Sequence, residues 1–305
     1  MKNIMNDSKN VNNTKILILC VNFHSEIITL RFIKELLNQD SVGLIRIVII
    51  DNDDNNVLLP FLSTRIDFKD QIIVFRPGRN LGYFGGVNWG LQQYLNNAPL
   101  PDWVIVSNVD IAFKSNNFFS NLLCWDNCLA CEVIAPSIFS TLTGRDQNPH
   151  LVKRPSYLRM KLYKLIFRYY ITYTIYLILA FLKQKLLTLI LFSFLQQKNR
   201  TTKNNSQVIY APHGSFIIFR KKYFEKGGNL NYGAFLFAEE IFVAETARKL
   251  GFCILYDPKL KVIHKEHVTT GIIRSREMAK YQFESIVYCT DAFFKNIGNN
   301  ENSKI

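Results

Sequence analysis

The sequence predicts an α/β fold, a mostly parallel sheet with helices on both faces, interrupted past its midpoint by a helical insertion. Three observations predict it. Short, continuous, β-branched runs recur through the first half of the chain and alternate with segments of helical periodicity, as strands buried on both faces require. Polar residues gather where those runs end, and open α/β sheets bind ligands at the carboxyl ends of their strands. The stretch from Tyr157 to Leu195 departs from this rhythm with long apolar helical runs.

In chain order, residues 1–14 form a polar, Asn-rich tail that is expected to be disordered and has no apolar stretch of the secretory kind. Ile16 to Val21 reads as the first strand and Thr29 to Asn38 as an amphipathic helix. Further strands are expected at Ile45 to Ile50, Ile72 to Phe75 and Trp103 to Ser107. The ends of these strands carry Asn22, Asp51 and Asn52, the segment Arg76 to Asn80, and Asn108 with Asp110. Asn199 to Gln207 is a polar linker. Val208 to Ala211, Phe216 to Phe219 and Cys253 to Tyr256 read as strands, Glu239 to Leu250 as a helix, and Glu277 to Asn296 as a closing helix. No internal repeat is evident.

In the insertion, residues 157–168 place Lys161, Lys164 and Arg168 on one helical face among Leu, Ile, Phe and Tyr. Tyr169 to Leu182 is an uncharged run of 14 residues, Lys183 and Lys185 interrupt it, and a run of 10 follows to Leu195. A spanning helix needs roughly 20 apolar residues. Residues 151–206 are therefore read as helices lying on an anionic membrane surface. A buried hairpin, or a single span with snorkelling lysines, is the alternative.

At 305 residues and 48% hydrophobic, the chain has enough apolar material for one large core or a core plus a small lobe. Its mean hydropathy of +0.03 fits a globular protein rather than a polytopic membrane one. The formal charge of +13 is regional, because no Asp or Glu occurs between Asp146 and Glu225. That region calls for an anionic partner, a phospholipid or a lipid-linked diphosphate. Nucleic acid is a poor fit, since the basic stretch is interleaved with aliphatic runs rather than stacking platforms. The six Cys are expected to be reduced thiols, with Cys124, Cys128 and Cys131 on one helical face as small core residues rather than a zinc site.

Four stretches carry candidate chemistry. Arg79 to Leu91 (RNLGYFGGVNWGL) is rich in glycine, follows a strand and enters a helix, so its backbone can approach an anion closely. It is not a dinucleotide fingerprint: the first strand-to-helix turn, Val21 to Ser25, has no glycine, which argues against an NAD-dependent dehydrogenase. Asp110, just past a buried strand with Asn108 two residues before it, suits a divalent cation shared with a diphosphate. Glu239 and Glu240 open a helix, where one of them can accept a proton from an attacking hydroxyl. His264 ends a strand, where a neutral imidazole can ligate a metal or meet a diphosphate oxygen. Each stretch alone also has an ordinary structural reading, as a turn, a cap, a dipole complement or a surface His.

Their order along the chain resembles the inverting family 2 glycosyltransferases of the GT-A fold, especially the rhamnosyltransferase-like members that build O-antigen, capsule and other surface polysaccharides. VNFH at 21–24, IVIIDNDDNN at 47–56, RNLGYFGGVNWGL at 79–91, SNVD at 107–110, FLFAEEIF at 235–242 and VIHKEH at 262–267 stand where that family has its motifs. The resemblance implies a GT-A-like, Rossmann-type sheet in which residues 15–150 bind a nucleotide sugar and 207–305 form the acceptor and catalytic half. It implies Asp51 on the nucleotide base, and Asn22, Asn52, Asn80, Gly82, Asn88, Asn108 and Asp110 around the donor. It further implies Mg2+ or Mn2+ on Asp110 with His264, and Glu240 or its neighbour Glu239 as base. Two departures stand out: Asn108 replaces the first acid of the metal motif, and Glu240 replaces the usual Asp. The expected acceptor is a glycan or polyprenyl-diphosphate-linked oligosaccharide, and the expected location the cytoplasmic face of the membrane, peripherally. A nucleotidyltransferase, or a non-catalytic membrane scaffold on the same fold, is the rival reading.

Overall fold

The computed structural model describes residues 13–66, 71–126, 130–195, 205–266 and 275–295, with the backbone alone for residues 184, 185 and 187–195. Most of the expected N-terminal tail, Cys128, most of the polar linker, the stretch from His267 to Gly271 and the end of the closing helix lie outside these residues.

The chain divides into two compact units: one of residues 1–153, 206–235 and 239–267, and one of 154–205, 236–238 and 268–305. The first is built on β1 (Ile16–Asn22), β2 (Ile45–Asp51), β3 (Ile72–Phe75), β4 (Trp103–Ser107), β5 (Ile111–Phe113), β6 (Cys131–Ser140), β7 (Gln207–Ile209), β8 (Phe216–Arg220) and β9 (Cys253–His264). They form one sheet in the order β3-β2-β1-β4-β8-β6-β9-β5, with β7 paired to β9. The strands β3, β2, β1 and β4 are mutually parallel, as the apolar runs predict. Beyond β4 the sheet is mixed: β8 is antiparallel to both β4 and β6, and β9 is parallel to β6.

Helices cover both faces. On one, Phe32, Ile33 and Leu36 of α1 (Glu26–Leu37), Leu58 and Leu62 of α2 (Leu58–Ser63), and Phe118, Phe119 and Leu122 of α4 (Phe118–Leu123) share a core with Ile16, Ile18, Ile47 and Ile49. On the other, α3 (Tyr83–Leu95) lies so close to β2 that a Cβ at Gly90 would stand 2.5 Å from Ile50 Cγ1. Five elements were not read in the sequence: α2, α4, β5, which holds Asp110 beside β9, α7 (Lys221–Glu225) and the ten-residue strand β6. The helix α8 (Glu239–Lys249) carries the acidic pair.

The thiol expectation is corrected. Cys131 opens β6 and is joined by a disulfide to Cys253, which opens the neighbouring strand β9. The two are register partners with Cα atoms 4.5 Å apart. A helical reading of the cysteine spacing could not anticipate a partner so remote in sequence. Cys124 is exposed just past α4, whereas Cys20 and Cys289 are buried free thiols.

The second unit contains α5 (Tyr157–Phe167), α6 (Tyr170–Leu195) and α9 (Arg276–Phe293). Ser156 caps α5, its hydroxyl accepting from the Arg159 N–H at 3.2 Å. At the break between α5 and α6 the helix direction bends by 117°, and Tyr163, Phe167, Tyr173 and Tyr176 form an aromatic seam between them. Lys164 is paired with Asp291 of α9 at 2.9 Å, so it is not part of a free basic face, contrary to the helical-face expectation.

Candidate active site

The parallel register of β1 and β2 sets Asn22 beside Asp51. The Asn22 amide donates to Asp51 Oδ1 at 3.1 Å and to Asp53 Oδ2 at 3.3 Å. Its oxygen accepts from the Thr29 hydroxyl at 2.8 Å and the Ser25 hydroxyl at 3.2 Å, which fixes the amide's orientation. His24, at φ 49, donates its backbone N–H to Asp53 Oδ2 at 3.0 Å and places Nδ1 2.7 Å from Asp53 Oδ1. Arg76 reaches Asp51 Oδ2 at 3.5 Å. Burial and then the Asp53 charge push the Asp51 carboxyl above its ordinary range, against the pull of Asn22 and Arg76. Asp53 and His24 had not been singled out in the sequence, because only their fold neighbours reveal them.

Asn52 ties this group to the glycine-rich loop. Its amide donates to the Gly82 carbonyl at 2.8 Å and to Asn80 Oδ1 at 3.3 Å, and the same Asn80 oxygen accepts from the Gly82 N–H at 2.9 Å. Asn52 Oδ1 is buried with no hydrogen-bond partner among the described residues. Gly82 has φ +74, and a Cβ there would fall 2.0 Å from the Phe235 carbonyl oxygen, so no other residue fits without moving that backbone. Asn88 is half-buried further along α3, and among the described residues no hydrogen bond ties it to this cluster.

A second group forms where β5 meets β9. Their antiparallel register pairs Ile111 with His264, which brings Asp110 Oδ1 to 3.1 Å from His264 Nε2. Nδ1 of His264 lies 2.8 Å from Gln147 Oε1, and the Gln147 amide donates to Glu266 Oε1 at 2.8 Å. Glu266 also accepts from the Ser140 hydroxyl. With Gln147 Oε1 as an acceptor, the Nδ1 of His264 carries the proton. In the neutral ring Nε2 then presents a lone pair to Asp110 Oδ1, which is buried and accepts no hydrogen bond. Two electron-pair donors facing each other fit a shared divalent cation. Among the described residues no group of three His, Cys, Asp or Glu is placed to hold a metal. Asn108 contributes through its backbone, its N–H donating to the Ser215 carbonyl at 2.8 Å.

Two further imidazoles link this pair to Glu240. The His213 ring lies 6.0 Å from His264 and 5.3 Å from His150, and His150 Nε2 is 3.7 Å from Glu240 Oε1. The bridge between Leu151 and Ala211 and the bond from the His213 N–H to Asn148 Oδ1 at 2.9 Å hold the two segments together. Burial, with the charge of His150 second, lowers the His213 pKa to about 4. Burial pushes the Glu240 carboxyl up, but the hydrogen bond and charge of His150 outweigh it and leave the carboxyl below its ordinary range. Glu240 is therefore ionised at neutral pH. Its Oε2 would be 3.8 Å from a Cβ at Gly214, whose carbonyl accepts from the Tyr83 hydroxyl at 3.3 Å. Burial and then the charge of Glu239, with that of Asp110 also contributing, hold the Tyr83 phenol well above its usual range. Glu239 itself is buried, and the two residues that precede it, Phe237 (φ 70) and Ala238 (φ 57), take left-handed backbone. Asp110 and Glu240 thus belong to one cluster. His150, His213 and Gln147, which complete it, carried no motif.

A family model described as glycosyl transferase family 2 matches residues 17–228. The chain belongs to that family. Solved structures agree with the fold: GalNAc-T7 with UDP, GalNAc and Mn2+ has a TM-score of 0.53 at 14% identity, over 84% of this chain and 44% of that one. Residues 1–349 of TarS from S. aureus, in complex with UDP-GlcNAc, give 0.52 at 10% identity, over 86% and 61%. The glycosyltransferase chain described here therefore spans only 44% and 61% of the length of these structures. No curated protein sequence matches it significantly.

Proposed function

We propose that this family 2 glycosyltransferase moves a sugar from a nucleoside diphosphate donor to an acceptor hydroxyl, with inversion, during assembly of a lipid-linked surface polysaccharide. The observation that carries the reading is the cluster that joins Asp110 and His264 to Glu240 across residues 130 positions apart. Asp51 and Asp53, held by Asn22 and Arg76, form the acceptor-rich pocket for the base and ribose, and the Asn80–Gly82 turn lies beside it. Structures of the same fold with UDP and Mn2+ or with UDP-GlcNAc support a nucleotide-sugar donor and a divalent ion.

Asp110 and His264 would hold Mg2+ or Mn2+. When bound, the ion offsets the negative charge that builds on the leaving diphosphate. Glu240, ionised and partly exposed, takes the proton of the acceptor hydroxyl as that oxygen attacks the anomeric carbon. The bond to the diphosphate breaks on the opposite side, and the nucleoside diphosphate leaves. Glu239 is buried, so the more exposed Glu240 is the one assigned as base. A polyprenyl-diphosphate-linked glycan fits as acceptor because the basic excess lies in the segment with the longest apolar helix.

The test is a thermal-shift screen of nucleotide sugars with Mn2+, followed by transfer or donor-hydrolysis assays on wild type and Glu240→Gln. The proposal expects one donor to raise Tm in both proteins and turnover to vanish in the variant. A fully active Glu240→Gln removes Glu240 as base. No shift and no turnover with any donor points to a scaffold instead.

A further inference from the structure

We propose that α5 and α6 form a docking surface for an anionic lipid bilayer and lie within its headgroup layer. The inference is independent of the chemistry assigned to Asp110 and Glu240. On α5, Leu158, Leu162 and Leu165 fall at i, i+4 and i+7 and are 76%, 52% and 63% exposed. On α6, Ile171, Ile175, Ile178, Leu179, Leu182 and Leu186 continue the same spacing, all of them exposed. These side chains are not what closes the unit. That role falls to Met160 and to the seam of Tyr163, Phe167, Tyr173 and Tyr176 on the inner faces. Two adjoining helices with their outer faces left apolar form a patch of the kind that marks a partner or a membrane.

Charge identifies the occupant. Of the chain's 37 Lys and Arg, 14 lie between Asp146 and Glu225, together with none of its 24 acids, which leaves 23 basic against 24 acidic residues elsewhere. The net charge of the protein is therefore the charge of this segment. Arg159, Lys161 and Arg168 stand exposed beside the leucines of α5, and among the described residues no carboxylate pairs with them. Their charged ends instead lie over aromatic rings, at 5.3 Å for Arg159 on Tyr163, 5.2 Å for Lys161 on Tyr157 and 5.5 Å for Arg168 on Tyr169. A cation above an aromatic ring beside an apolar stripe is the arrangement of a headgroup layer, with tails below and phosphates above. A second copy of the chain would set this basic surface against its own like.

The lysines at 183 and 185 that interrupt α6, with the bend before it, favour helices that lie on the bilayer. Among the described residues no single helix is long and apolar enough to cross, and the pair is bent by 117°. The uncharged run that ends at Leu182 rises about 21 Å as a helix, short of a hydrocarbon core about 30 Å thick.

The experiment is co-sedimentation of the full chain with phosphatidylcholine vesicles, with and without phosphatidylglycerol, beside light scattering in lipid-free buffer. Binding is expected only to the anionic vesicles and is expected to be released by high salt. Arg159→Glu/Lys161→Glu/Arg168→Glu should weaken it on the order of a hundredfold, and Leu158→Ser/Leu162→Ser/Leu165→Ser at least about tenfold. Far-ultraviolet circular dichroism confirms that each variant folds. Should the leucine set fail to fold, the charge set decides alone. Equal binding to neutral vesicles, no binding, retention in high salt, or a lipid-free dimer that the leucine set dissolves would each overturn the proposal.

Discussion

In the α/β unit every residue of β2 and β4 is buried, and the apolar side chains of β1 pack against helices on both faces of the sheet. In the unit of α5, α6 and α9 an equally apolar sequence buries one aromatic seam and leaves its leucines and isoleucines facing outward. The first unit also sets buried carboxylates against basic side chains, as Asp51 with Arg76 and Asp53 with His24 show. In the second, Arg159, Lys161 and Arg168 pair with no carboxylate among the described residues. Hydrophobicity is thus used in one unit to hold a site still and in the other to meet a neighbour, and composition alone does not separate the two uses.

Four tests probe that contrast, from the largest expected effect to the smallest. Glu240→Gln should lower kcat by about 10²- to 10⁴-fold, as for loss of a general base. Its Tm should stay near wild type, because the carboxylate is partly exposed. A comparable kcat loss from changes in the α5 leucines, assayed with a soluble acceptor, would break the division of labour. Ile47→Ala, at the centre of the sheet core, should cost about 2–5 kcal/mol by urea unfolding. Leu162→Ala, on the outer face of α5, should stay within about 0.5 kcal/mol in lipid-free buffer.

The pH dependence is the third. His213 has a folded pKa of about 4 against 6.5 for an ordinary imidazole. The unfolded chain therefore binds the extra proton first as pH falls. The stabilisation is complete above about pH 6.5 and is lost as pH drops toward 4, with an upper bound of about 3 kcal/mol. His213→Gln should flatten that part of the curve in urea titrations. Last, Lys164→Ala removes a half-exposed pair with Asp291 and should cost about 1 kcal/mol or less, fading with added salt.

The strands β1 to β4 were legible because each is a continuous β-branched run, and α8 because its acids open a helical pattern. The parts that were not legible have a common cause. β5 is three residues long, too short for a period, and its place is set by pairing with β9. The disulfide between Cys131 and Cys253 exists because β6 and β9 are neighbours, a fact held in the sheet order. His150 and His213 stand in a loop and before a strand with no spacing that marks them, and they come together only through the bridge of Leu151 to Ala211. Within the glycine-rich loop, Gly90 serves the close approach of α3 to β2, and Gly82 alone has the left-handed backbone there, a division the glycine spacing does not show. Lys164 had the right helical phase for the basic face, but α9, far along the chain, claims it.

The loop from Pro212 to Ser215 is braced from three directions. Tyr83 donates to its Gly214 carbonyl, Asn108 to its Ser215 carbonyl, and Asn148 accepts from its His213 N–H. Like a keystone, it cannot be shifted by one neighbour without disturbing the other two. In hydrogen–deuterium exchange the amides of Asn108 and His213 should open together rather than singly. Lengthening this loop by even one residue should loosen the donor side and the acceptor side at the same stroke.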